Sequence, residues 1–125
     1  MKPAHLLKGE QGESFARRWL ESRGLTFVGA NFRCRHGELD LIMLDCRCLV
    51  IIEVRFRSNH GYGGALTSVT PTKQQRLAKT VQHFLQQQKR FKSLPMRFDV
   101  LALSGTVTKP AVDWCRNAFI FDDTD

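Results

Sequence analysis

Apolar residues recur at helical spacing in two stretches of the chain and gather into nearly unbroken runs in three others. Over residues 9–23, Phe15, Ala16, Trp19 and Leu20 repeat at three- and four-residue intervals among Glu, Arg and Gln, the signature of an amphipathic helix, and Gly24 supplies a stop. Residues 25–28 predict a short strand, Gly29-Ala-Asn31 a turn, and residues 32–36 a second extended piece. Residues 38–44 and 49–56 predict a hairpin turning on Cys46-Arg47. Leu39, Leu41 and Met43 alternate there with Ile42 and Leu44, and Val50, Ile52 and Val54 alternate with Leu49 and Ile51. Strands apolar on both faces belong to a sheet covered on both sides. A glycine-rich loop over 57–69 follows, suited to lining a cleft. Thr70-Pro71 then reads as N-cap and first helical residue. Leu77, Ala78, Val81, Phe84 and Leu85 stripe a helix running to about Gln88. Residues 98–103 predict a buried strand, 104–110 a turn, and 111–121 an edge strand before an acidic, frayed end. The order of helix, strands, helix and strand predicts an α/β fold, a central mixed β-sheet flanked by helices.

With 125 residues the chain is the size of one domain, expected here to span 1–125 with its core over about 9–103, and it can bury a core without disulfides. Its basic start has no long apolar stretch or small-residue cleavage site, and no run approaches a membrane span, so a soluble, cytoplasmic protein without a membrane partner is expected. Cys34, Cys46, Cys48 and Cys115 lack the density of a secreted scaffold, so free thiols are expected. Cys34-x-His36 and Cys46-x-Cys48 offer four nitrogen and sulfur ligands. Their spacing lacks the usual gap of a zinc site, and the second pair straddles the predicted turn.

The net charge of +7 gains meaning from its placement, because no acidic residue lies between Glu53 and Asp99. That stretch carries Arg55, Arg57, Lys73, Arg76, Lys79, Lys89, Arg90, Lys92 and Arg97. A field of one sign over such a length suits a polyanion, and nucleic acid, DNA above all, is the expected partner. Arg57, Lys73, Arg76 and Lys79 are the expected backbone contacts, with Tyr62 in the glycine-rich loop placed to stack on an unpaired base.

Against this basic background stand two carboxylates in the most apolar runs. A turn on Cys46-Arg47 pairs 45 with 48 and 42 with 51, which sets Asp40 opposite Glu53. Directly opposed residues have Cβ atoms roughly 4.5–5.5 Å apart, and like charges at that separation destabilise a sheet. A bound cation reverses the sign of the interaction, and Mg²⁺ uses one or two protein carboxylates with water and substrate phosphate. Arg55 shares their face and is placed to stabilise charge on a phosphate. The same register also allows a plain salt bridge between Glu38 and Arg55, or neutralisation of Asp40 by Arg55 or Lys73. Asp99, on a buried strand, is expected to accept hydrogen bonds from Arg97 or a neighbouring loop.

Gly12-Glu13-x-x-Ala16, Gly37-Glu-Leu-Asp-Leu-Ile42, Glu53-Val-Arg-x-Arg57 and Arg97-Phe-Asp-Val100 together resemble the YraN family of small bacterial proteins. That family is similar to the restriction-endonuclease-like, or PD-(D/E)xK, nucleases and to archaeal Holliday-junction resolvases. The resemblance implies a restriction-endonuclease-like fold and Glu13, Asp40 and Glu53 as ligands of Mg²⁺ or Mn²⁺. It further implies metal-dependent hydrolysis of phosphodiester bonds in DNA, branched DNA included. Arg55 stands where the superfamily usually has lysine. Arginine stays protonated and makes a poor general base, though it binds phosphate through paired hydrogen bonds. Lys73, near the start of the second helix, is a candidate to supply an ammonium group from another element. The alternative implied by Arg55 is an inactive nuclease-fold module that binds DNA in repair or recombination. A homodimer is expected only by analogy with resolvases, which cut two strands symmetrically.

Overall fold

The structure, a computed structural model, describes residues 9–57, 69–106 and 110–119. Helix α1 (Gly9–Ser22) leads into strands β1 (Thr26–Cys34), β2 (Gly37–Asp45) and β3 (Cys48–Arg57). Helix α2 (Pro71–Gln87), a 3₁₀ turn (Lys89–Phe91) and strands β4 (Met96–Gly105) and β5 (Pro110–Phe119) follow. The five strands lie in sequence order across one sheet. β3 and β4 pair in parallel, joined by the crossover that contains α2, and the other neighbours are antiparallel. This is the mixed α/β sheet with helices on its faces that the pattern predicts, and it is consistent with a restriction-endonuclease-like fold.

Each helix end follows from local chemistry. Gly24, at φ +97°, ends α1 in a left-handed turn. Its N–H donates to the Glu21 carbonyl at 3.0 Å and the Leu25 N–H to that of Leu20 at 3.1 Å. These two bonds define a Schellman cap, and Leu25 joins Leu20 in the core as its accompanying apolar contact. At the start of α2 the Thr70 hydroxyl accepts the Lys73 N–H at 3.2 Å, with Pro71 as first helical residue.

The sheet separates two apolar layers. On the α1 side, Ala16 and Leu20 pack with Leu41, Met43, Val50, Ile52, Leu101 and Leu103. On the α2 side, Leu77, Val81 and Phe84 pack with Ile42, Leu49, Ile51, Phe98 and Val100. Alternate residues of β2 and β3 therefore serve opposite layers, which explains why both strands are apolar throughout. Trp19, half-buried, meets Trp114 of β5 edge to face at 5.6 Å. Gly12 lies so close beneath the Phe56 ring that a Cβ there would occupy the ring's space, so the glycine lets the start of α1 settle against the end of β3.

Three elements depart from the expectation. The two extended pieces over 25–28 and 32–36 are one strand, β1, and Gly29-Ala-Asn31 is not a turn. The edge strand absorbs these residues through a register shift between Phe27 and Gly29 and a positive φ of 55° at Asn31. β4 reaches Gly105, further than the predicted 103, and β5 begins at Pro110. The glycine-rich loop with Tyr62, and the acidic end, lie outside the described residues.

Asp99 meets the expectation placed on it. It is fully buried on the α1 side, at a register shift between β4 and β5. It accepts the Trp114 indole N–H at 2.9 Å, the Asn117 backbone N–H at 2.9 Å and the Arg97 Nε–H at 3.1 Å. Arg97 also reaches Asp45 at the end of β2, at 2.9 Å. No helix among the described residues is long and apolar enough to cross a membrane.

Candidate functional site

The β2–β3 ladder has the register that a turn on Cys46-Arg47 demands. Asp45 pairs with Cys48, Ile42 with Ile51 and Leu41 with Ile52, and Cys46 holds the turn at φ +57°. Pairing stops there, one step short of Asp40 and Glu53. Beyond this point Gly37, Glu38 and Leu39 pair with β1, and residues 53–57 of β3 pair with β4. The sheet thus forks between β2 and β3, and the two carboxylates sit in the crotch. Asp40 Oδ2 accepts the Val54 N–H at 2.9 Å, taking over a backbone donor that the ladder no longer uses.

Glu53 is 7% exposed and lies on the α2 side of the sheet. Its Oε2 is 2.8 Å from Arg55 Nη2 and 2.9 Å from Lys73 Nζ, so α2 contributes a cation to a carboxylate on β3. The Arg55 contact is an ion pair without hydrogen-bond alignment: Nε and Nη2 are both buried with no hydrogen-bond acceptor. Burial pushes the Asp40 carboxyl up to about 7, and the Glu53 charge adds to the rise against the opposing Val54 hydrogen bond. Burial likewise raises Glu53, opposed by Arg55 and by a hydrogen bond from the Asp40 carboxyl. Burial thus disfavours the charged form of both acids, and the Glu53 charge disfavours that of Asp40 further.

The structure joins four of the expected site residues, Asp40, Glu53, Arg55 and Lys73. Glu13 stands apart. It lines a cleft of about 290 Å³ on the α1 side with Ser14, Arg17, Phe27 and Asn31. Its field reaches Asp40, yet no group of three Asp, Glu, His or Cys residues converges to hold a metal among the described residues. Two carboxylates, Asp40 and Glu53, are the acidic pair that does converge. The Cys34, His36, Cys46 and Cys48 set forms no such group either, and all four cysteines are free. Glu38 pairs with Arg33 at 2.8 Å and not with Arg55, because β2 has already parted from β3 at that level. Arg55 and Lys73 both serve Glu53, so neither neutralises Asp40 alone. Arg76 and Lys79 are exposed on α2, and the side chain of Arg57, like Tyr62, is outside the described residues.

Residues 12–103 match the family described as "Uncharacterised protein family UPF0102". The UPF0102 protein of Nitrosococcus oceani is 45% identical over 120 residues, 95% of this chain and 97% of that protein. The UPF0102 protein YraN of Salmonella arizonae is 47% identical over 112 residues, 89% of this chain and 82% of its own length. The chain belongs to the UPF0102 family. The matched span begins at Gly12-Glu13 and ends at Leu103, so it contains the whole fork, α2 and Asp99.

In this UPF0102 protein, two features of the site have no signal in the local sequence. The fork is a failure of pairing, which a register extrapolated from the turn cannot foresee. The other is a contact between His36, in the β1–β2 turn, and His83 on α2, whose rings lie 5.1 Å apart. The sequence pairs His36 only with Cys34, and the contact with His83 arises because the crossover packs α2 against β2.

Proposed function

We propose that the protein binds DNA, branched DNA included, and hydrolyses its phosphodiester bonds at the Asp40–Glu53 fork in a metal-dependent reaction. The observation that carries this reading is the adjoining Asp40–Glu53 pair, with the Arg55 guanidinium against Glu53 outside hydrogen-bond alignment. A buried acid pressed against a half-buried one is an unfavourable arrangement that a cation relieves, and Lys73 Nζ already stands against Glu53. The donor set fits Mg²⁺ or Mn²⁺ with two protein carboxylates, water and phosphate oxygens completing the shell. Bound there, the ion would supply Lewis acidity toward the phosphate and a lowered pKa for attacking water.

The chain's own groups have separate tasks. Arg55, whose Nε and Nη2 make no aligned hydrogen bond and whose Nη2 rests against Glu53, would turn from that ion pair to two phosphate oxygens while its charge offsets the pentavalent state. Lys73, on an ion pair it can leave, follows the phosphate or the leaving oxygen. Arg76 and Lys79 continue the positive surface along α2 and hold backbone, an interaction that weakens steeply with salt and reads few bases. Glu13 acts on the site through its field on Asp40 and not as a convergent ligand. Two copies of the chain would present one fork to each strand of a branched substrate.

Arg55 in the place of lysine, together with the separation of Glu13, favours a second reading, a DNA-binding module without turnover. Incubating the purified protein with duplex, single-stranded and four-way-junction DNA, in Mg²⁺, Mn²⁺ or chelator, divides the two. Cleavage that disappears in Asp40→Ala and Glu53→Ala supports the enzyme. Metal-independent binding without cleavage supports the module, and no binding at low salt overturns both.

A further inference from the structure

On the α2 side Lys73, which stands against Glu53, also lines a cleft of about 420 Å³, and part of that cleft's wall has no task in the hydrolysis proposed above. Lys73, Arg76 and Thr72 line it from α2, Gly37 and Glu38 from β2, and His36 from the turn before β2. Lys73, Arg76, Lys79 and His83 follow one another at intervals of three, three and four residues, which sets them along one side of α2. At 1.5 Å per residue this line runs roughly 15 Å. The first turn of α2 carries no acidic residue, and Glu38 turns its charge to Arg33. The half-buried His36 ring is braced from α2 by His83 at 5.1 Å. Gly37 makes this approach possible: a Cβ there would lie 3.2 Å from the Thr80 hydroxyl, tighter than ordinary packing.

We infer that the cleft receives one unpaired nucleotide next to the phosphate at Arg55, with its phosphate on Lys73 and Arg76 and its base stacked on His36. The inference rests on the proposed function and narrows its substrate to nucleic acid with unpaired nucleotides beside the cut. A cleft of this size accepts a single ring system with its sugar. A paired base enters only by leaving its complement, at a loss that an unpaired base does not incur. Imidazole is among the side chains on which unstacked bases settle, and braced rings lose little freedom in doing so. His83 is a positioning residue, since it touches His36 and does not line the cleft.

Fluorescence anisotropy in chelator at low salt, with labelled blunt duplex, single strand and a duplex bearing a single-stranded arm, tests this. The wild type is expected to bind the armed and single-stranded DNA about five- to tenfold more tightly than the duplex, the size of one stacking contact. His36→Ala removes that preference and leaves duplex affinity unchanged, His83→Ala removes part of it, and His36→Phe retains it. Equal affinity for all three DNAs, uniform weakening by His36→Ala, or His36→Phe behaving as His36→Ala overturns the inference. Displacement of the armed DNA by millimolar nucleoside monophosphate would assign the cleft to free nucleotide and overturn it too. Absence of binding to any of the three DNAs strikes instead at the proposed function.

Discussion

Two places in this sheet bury carboxylates, and they are built in opposite ways. Asp99 has no exposure at all, yet donors surround it: the Trp114 indole, the Asn117 amide and the Arg97 guanidinium. Asp40 and Glu53 keep slightly more contact with solvent, yet Asp40 has one backbone donor and each acid meets the other. The first arrangement satisfies its charge within the chain and closes the sheet's β5 edge. The second sets two cations, Arg55 and Lys73, against Glu53 and leaves Asp40 with one backbone amide and the neighbouring acid. Burial alone therefore does not mark a site; a second acid pressed against the first does.

Asp99→Ala gives the largest expected effect, about 3–5 kcal/mol of lost stability, because it leaves Arg97 with Asp45 alone and takes the acceptor from the Trp114 indole and the Asn117 amide. Urea unfolding at neutral pH measures it. A loss below about 1 kcal/mol would erase the contrast between the two sites. Arg55→Ala acts on the other site, lowering single-turnover cleavage by about 10²-fold, or roughly 2.7 kcal/mol in the barrier. Its unfolding midpoint stays close to wild type. Lys73→Ala is expected to reduce cleavage as well, and full activity in that variant would remove Lys73 from the site.

Asp40→Asn should move stability the other way. With its folded pKa raised to about 7, Asp40 holds a proton that the unfolded chain has released. Stability from this group is complete below the unfolded value and falls as pH rises toward 7. An amide keeps the Val54 hydrogen bond without the charge. In chelator, Asp40→Asn is expected to gain about 1–2 kcal/mol over wild type at pH 8, a coupled and partly solvated fraction of the full shift. At pH 5 the gain shrinks to about a third of its value at pH 8, and it disappears below about pH 4, where the unfolded carboxyl is protonated as well. A variant less stable than wild type at both pH values would show that Asp40, like Asp99, is structural. The smallest effect is that of Trp114→Phe, which removes one donor from Asp99 and keeps the ring, for about 1 kcal/mol of lost stability.

Much of this was legible in the chain. The apolar alternation fixes the β2–β3 register through Asp45, Ile42 and Leu41, and the stripe of Leu77, Val81 and Phe84 places α2 on the sheet. Asp99 was readable because Arg97 lies two residues away on the same side of β4. β1 was misread because Gly29 and Asn31 carry turn chemistry, which an edge strand tolerates as irregularities within continuous pairing. The family likeness puts Glu13 with the other acids, and its helix face is compatible with that. The packing of Gly12 under Phe56 of the central strand sets α1 on the sheet so that Glu13 lines the cleft beside Arg17, Phe27 and Asn31, from which its field reaches Asp40. The His36–His83 contact spans the crossover, and no local pattern encodes such a distance.

The fork also has a bearing on the order in which the chain folds. Asp40 and Val54 are 14 residues apart and belong to a hairpin, whereas Lys73 and β4 reach β3 only after a long parallel crossover closes. Local pairings form first, and parallel crossovers are slow. The hairpin therefore assembles its acid pair before α2 brings Lys73 to neutralise it, so mutual repulsion is greatest early in folding. Alkaline conditions should slow the refolding of the wild type, and Asp40→Asn should refold faster at pH 8 than its parent, a difference that stopped-flow mixing resolves.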